Sequence, residues 1–144
     1  MTNKEWLIST QGALFLKASK RCFEQRGIGS GKLEMFVQPG VVCLAFSIEL
    51  NLKALITSEE NEPRNIHNLS KLFKSLNGKT QDEIIRQCEL SKEDFLTSLG
   101  NIEVVFEDWR YVYEQGAVSL NMDLLHKLSE VLDNLTSDRI SRNG

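Results

Sequence analysis

Proline is nearly missing from this chain, two residues in 144, so little interrupts a helix once it has started. Cysteine is scarce: Cys22, Cys43 and Cys88 are odd in number and far apart in sequence. That excludes a disulfide framework and a zinc-ligand pattern, and reads as reduced core thiols. The two histidines, His67 and His126, have only Lys71 and Glu130 four residues on, so neither begins a ligand pair and no metal is expected. No apolar run approaches the length of a membrane span, and "MTNKEWLIST" lacks the layout of a signal peptide. A cytoplasmic chain with no membrane and no cofactor is therefore expected. Internal repeats, low-complexity tracts and convincing strands are missing too.

What is present is an ordinary globular composition, 41% hydrophobic and 26% charged, at a length that buries one core without staples. A single domain spanning 1–144 is expected, with a flexible tail from about 140 to 144. The formal net charge of −3 does not favour bulk attraction to nucleic acid. It is unevenly spread. Residues 1–36 hold six basic side chains (Lys4, Lys17, Lys20, Arg21, Arg26, Lys32) against three acids, leaving −6 for the remainder. Lys17, Lys20, Arg21 and Glu24 share a helix face, which reads first as a solvated one.

Helix signals run the length of the chain. Thr2 and Glu5 have capping-box spacing; the helix they open is expected to bury Trp6, Ala13, Leu14, Leu16 and Phe23 until "RGIGSGK". Pro39 suits the first turn of the next. There Val41, Leu44, Ile48, Leu52 and Leu55 repeat at helical spacing, with Phe46, Leu50 and Ala54 on other sides, as in a central helix. After the polar connection "SEENEPRNIHNL", Leu69, Leu72, Phe73 and Leu76 form a short helix stopped by "NG". Thr80 and Glu83 open another short helix through about Cys88. Ser91 and Asp94 open one that could run to Glu114. The last, Asn121 to about Arg139, carries Met122, Leu125, Leu128, Leu132 and Leu135. The expected fold is all-α: an up-and-down four-helix bundle with short extra helices between the second and third main helices.

Few motifs carry chemistry. "RGIGSGK" fails as a phosphate loop, because Arg26 stands where the first glycine belongs and Leu33 replaces the Ser or Thr. Glu49 and Lys53 stand at i, i+4 in the favourable order, but in the most apolar helix, where charge must be paired. That fits a rim ion pair locking the helix to a neighbour, or a site. His67 can cap the short helix through its backbone, pair with Asn68 and Glu62, or reach into the bundle. In "FEDWRYVYE", Phe106 to Glu114, the aromatics Phe106, Trp109 and Tyr113 fall on the core side. Glu107 and Glu114 flank Arg110 at helical spacing, enough to hold its guanidinium in place. The alternative is that Arg110, steadied by Glu114 and flanked by Tyr111, meets a phosphate.

Three of these segments together resemble the HEPN superfamily of bacterial helical bundles. "SIELNLKALI" has the glutamate, three residues, then Lys-Ala of the family's second helix. "IHNLSKLF" is similar to its His-x-Leu-x-x-Leu turn, with Ile66 and Asn68 in place of the usual Gly and Asp, and "WRYVYE" resembles its arginine-aromatic segment. The resemblance covers roughly 41–73 and 106–114. It implies a homodimer, and for many members a metal-independent ribonuclease in toxin–antitoxin, phage-defence or RNA-processing systems. The family's arginine is followed by a histidine after four to six intervening residues. Here Gln115, Gly116 and Ala117 occupy those positions, so the main proton carrier of cleavage is missing.

The expectation is a non-catalytic HEPN-like protein binding a nucleotide, an RNA or a cognate protein partner, in a defence, toxin–antitoxin or immunity system. One alternative is a divergent endoribonuclease using Arg110 with His67, supported by Glu49, Lys53, Tyr111 and Glu114. Another is a plain helical interaction module, with no cleft around these residues.

Overall fold

A computed structural model describes residues 4–60, 65–107 and 122–140, and these are predominantly helical. In chain order they form α1 (Lys4–Cys22), a ribbon of β1 (Arg26–Gly27) and β2 (Leu33–Glu34), α2 (Val37–Glu60), α3 (Leu69–Ser75), α4 (Gly78–Gln87), α5 (Lys92–Glu107) and α6 (Met122–Arg139). Among the described residues four helices are long and two are short, with the short ones between the second and third long ones. α1 ends at Cys22, ahead of "RGIGSGK" and with Phe23 already outside the helix, and "RGIGSGK" is more than a loop. β1 and β2 pair antiparallel, Arg26 with Glu34 and Gly27 with Leu33. The tip between them turns through left-handed backbone at Gly29, Ser30 and Gly31.

α2 is the central element, packed against α1, α3 and α6. Val41, Leu44, Ile48, Leu52 and Leu55 are all buried in it, as their spacing predicts. By length and composition alone α2 could cross a membrane, contrary to the expectation that nothing in the chain approaches a span. However, 61% of its most apolar window is buried inside the molecule, so neighbouring helices account for its apolarity. Not every apolar residue turns inward, since Phe46 is exposed.

α1 meets α2 through small residues instead of large ones. Its buried positions are Ser9, Gly12, Leu16 and Ser19, while Leu7 and the expected core residue Leu14 are exposed. The reason is proximity. Ser47 Oγ donates to the Gly12 carbonyl across the contact at 2.8 Å. A Cβ on Gly12 would lie 2.7 Å from Asn51 Oδ1, and that oxygen also accepts from Thr136 Oγ1 of α6 at 3.2 Å. Gly12→Ala should therefore lower stability by about 1–2 kcal/mol, because overpacking outweighs alanine's better helix propensity. Urea denaturation checks this; a stabilised variant would mean that α1 can move away from α2 freely.

The short helices use the predicted apolar residues with different punctuation. Leu69, Leu72, Phe73 and Leu76 are all buried. "NG" does more than stop α3. Asn77 is the N-cap of α4, its Oδ1 accepting from Thr80 N at 2.8 Å, and Gly78 is already helical. Thr80 is thus inside the helix. Its hydroxyl donates to Glu59 Oε2 at 2.7 Å, and Glu59 Oε1 accepts from Asn77 N at 2.8 Å. Arg139 Nη1 donates to Thr80 Oγ1 at 2.8 Å and lies 3.5 Å from Glu59 Oε2. This polar clamp ties the ends of α2 and α6 to the start of α4. Ser91 caps α5 as expected, its Oγ accepting from Asp94 N. At the far end Ile140, placed in the flexible tail by the sequence, is buried and donates its N–H to the Thr136 carbonyl.

Cys88 follows α4 and is a core thiol, 6% exposed. Burial pushes it from an ordinary 9.0 up to about 11, with Lys127 opposing weakly. The folded chain therefore keeps a proton that the unfolded chain loses in this window. The resulting stability is complete below pH 9.0 and falls by about 2 kcal/mol as pH rises through about 11. Denaturation from pH 8 to 11 checks it, with Cys88→Ala expected to show a shallower decline than the parent.

Candidate functional site

The sequence candidates in α2 and before α3 come together. Glu49 and Lys53 face the same way one turn apart, with Lys53 Nζ donating to Glu49 Oε2 at 3.1 Å. Both are sunk into the surface, their side chains 18% and 12% exposed. Such a pair must satisfy itself, because either charge alone would be poorly hydrated. The third member is His67, which arrives from another segment. Asn68, not His67, caps α3, its Oδ1 accepting from Lys71 N at 2.9 Å. The cap and the burial of Leu69 fix the chain just before the helix, and the His67 ring turns to α2. Its Nδ1 lies 3.2 Å from Glu49 Oε2 and 3.3 Å from Lys53 Nζ.

The same ring nitrogen thus faces a carboxylate and an ammonium. Carrying a proton it donates to Glu49; without one it accepts from Lys53. The ring is 74% exposed, so its outer edge is open to a ligand while its inner edge is held. A carboxylate, an ammonium and an oriented imidazole can bind a phosphate or a base edge and can move a proton.

Arg110, Tyr111 and Glu114, with Trp109 and Tyr113, lie outside the described residues. Among those described, no three of His, Cys, Asp and Glu gather as metal ligands do. The basic face of the N-terminal third is partly neutralised in place. Lys20 pairs with Glu130 at 3.0 Å and Arg26 with Glu24 at 2.7 Å. Such exposed pairs contribute little to stability, but they remove free positive charge from that face.

Sequence reading missed two groupings. The Glu59 clamp left only a misleading trace, since Thr80 looked like a cap. Cys22 and Cys43, far apart along the chain, are neighbouring thiols where α1 packs on α2. No protein-family model, curated protein or solved structure matches this chain.

Proposed function

We propose that this chain is a non-catalytic HEPN-like protein, its long helices arranged as an up-and-down bundle, that binds a nucleotide or a short stretch of RNA at Glu49, Lys53 and His67. The observation that carries this reading is the 3.1 Å pairing of Glu49 with Lys53 beneath an exposed His67. The two charges answer each other, so the half-buried ammonium is not free to stabilise charge developing on a phosphate. What the site offers outward is a steadied imidazole, which can stack on a base or hydrogen-bond its edge. The partial neutralisation of the basic face by Glu130 and Glu24 favours a small ligand over a long phosphate backbone. A cognate protein remains the other partner of this reading, and a cytoplasmic defence, toxin–antitoxin or immunity system its setting. Arg110, Tyr111 and Glu114 are proposed to complete the site.

Fluorescence anisotropy with labelled single-stranded RNA and mononucleotides tests it. Binding that His67→Ala weakens about tenfold, the scale of one lost contact worth roughly 1.4 kcal/mol, supports the assignment. Binding indifferent to that substitution removes His67 from the site.

One observation favours a second reading. The 3.2 Å approach of Glu49 Oε2 to His67 Nδ1 is how a carboxylate orients a histidine base. A divergent endoribonuclease pairing His67 with Arg110 would use it.

The protein is also proposed to pair with a second copy of itself. Supporting this, Leu7 and Leu14 of α1 and Phe46 of α2 are large and exposed, and the Phe46 ring lies 5.2 Å from that of Phe15. Exposed apolar side chains grouped in this way mark contact surfaces. Leu14→Glu combined with Phe46→Glu should halve the mass measured by light scattering. A parent that is already monomeric at working concentration would contradict the pairing.

A further inference from the structure

We infer that Cys22 and Cys43 form an oxidation site, closing to an intramolecular disulfide when a peroxide or a low-molecular-weight disulfide reaches them. Cys22 ends α1, and Cys43 lies within the first turns of α2. The backbone holds these segments together: the Cys22 carbonyl accepts from Phe36 N at 2.8 Å, and Gly40 N donates to the Phe36 carbonyl at 3.0 Å. The helices approach closely there, since a Cβ on Gly40 would lie 2.8 Å from the Phe23 ring. Cys43 stands between Gly40 and Ser47, one turn from each, on the face of α2 that meets α1, and Cys22 is its neighbouring thiol, the proximity from which a disulfide between packed helices forms.

Access and order of reaction follow from the surroundings. Both thiols are half-buried, unlike Cys88. Cys22 also lines an open cleft of about 280 Å³ with Arg21, Glu24, Arg26, Glu34 and Phe36. Burial, then the neighbouring Cys22, raises the Cys43 thiol above its ordinary range, so Cys43 keeps its proton longer. Cys22 is the first nucleophile and Cys43 the resolving one. With hydrogen peroxide, the Cys22 thiolate attacks one oxygen and the O–O bond breaks. Cys22 becomes a sulfenic acid, and the departing hydroxide takes the thiol's proton as water. The Cys43 sulfur then attacks the Cys22 sulfur, the S–O bond breaks, and a second water leaves with the Cys43 proton. Two thiols lose two electrons in all, and one peroxide becomes two waters. With a low-molecular-weight disulfide, the same two electrons reduce it to two thiols. The bridge closes the loop that contains the β1–β2 ribbon and ties the end of α1 to α2.

The test uses the full chain, treated separately with hydrogen peroxide and oxidised glutathione, alkylated, digested without reductant and read by mass spectrometry. The expected result is a peptide linking Cys22 to Cys43, lost on adding dithiothreitol, with Cys88 outside the link. Cys22→Ser and Cys43→Ser, each nearly isosteric, should form no internal link; Cys43→Ser should instead retain glutathione on Cys22. Parent protein in which both thiols remain alkylatable overturns the inference. So does parent in which Cys22 ends bridged to another molecule while Cys43 stays free.

Discussion

Replacing Phe73 with alanine is expected to lower the unfolding free energy by about 3–5 kcal/mol, the range for truncating a wholly buried aromatic. Phe73 is 1% exposed, and its ring lies 4.8 Å from that of Phe95 on α5. α3 has only 7 residues, too few to be stable as a helix without packing. Its place depends on Leu69, Leu72 and Phe73 reaching the core. Loss of the Phe73 ring should therefore loosen α3 and, with it, the segment that brings His67 to Glu49. Denaturation gives the energy, and the His67 imidazole signals in NMR report the site. A loss below about 1 kcal/mol, with those signals unmoved, would show that α3 is held by something else.

Glu49→Ala should have the next largest effect. Lys53 is 12% exposed and donates to Glu49. Without the carboxylate the ammonium keeps only the neutral His67 ring, 3.3 Å away, in a poorly hydrated place, with an expected loss of about 2–3 kcal/mol, somewhat less than for a fully enclosed pair. The double variant Glu49→Leu with Lys53→Met removes both charges and should recover most of that stability, because apolar residues of similar size tolerate such a position. Binding should not recover with it, since the group that steadies His67 is gone. A double variant that regains stability and still binds RNA or nucleotide would reduce the cluster to a packing device. If Glu49→Ala proves as stable as the parent, the pair contributes nothing to the fold.

The parts of the fold legible in the sequence are those fixed by local repetition. Val41 to Leu55 and Leu125 to Leu135 repeat at helical spacing, and both runs are buried helices. Glu49 with Lys53 was legible for the same reason, as neighbours one turn apart. What sequence alone could not convey depends on how closely two helices approach. α1 buries Ser9, Gly12 and Ser19 and exposes Leu14, the reverse of what hydrophobicity suggests, because α2 comes too near for larger side chains. Asn77 served as a cap where "NG" read as a stop. His67 is 18 residues from Glu49 along the chain, and no periodicity links them. Cys22 and Cys43 likewise become neighbours only once α1 and α2 have packed.

Purified protein incubated in EDTA with a mixed tRNA and mRNA pool, beside Arg110→Ala and His67→Ala, tests the non-catalytic reading most directly. The account predicts intact RNA from all three, with circular dichroism showing each protein folded. Cleavage by the parent that both substitutions abolish would contradict it and make the chain a metal-independent endoribonuclease acting through His67 and Arg110.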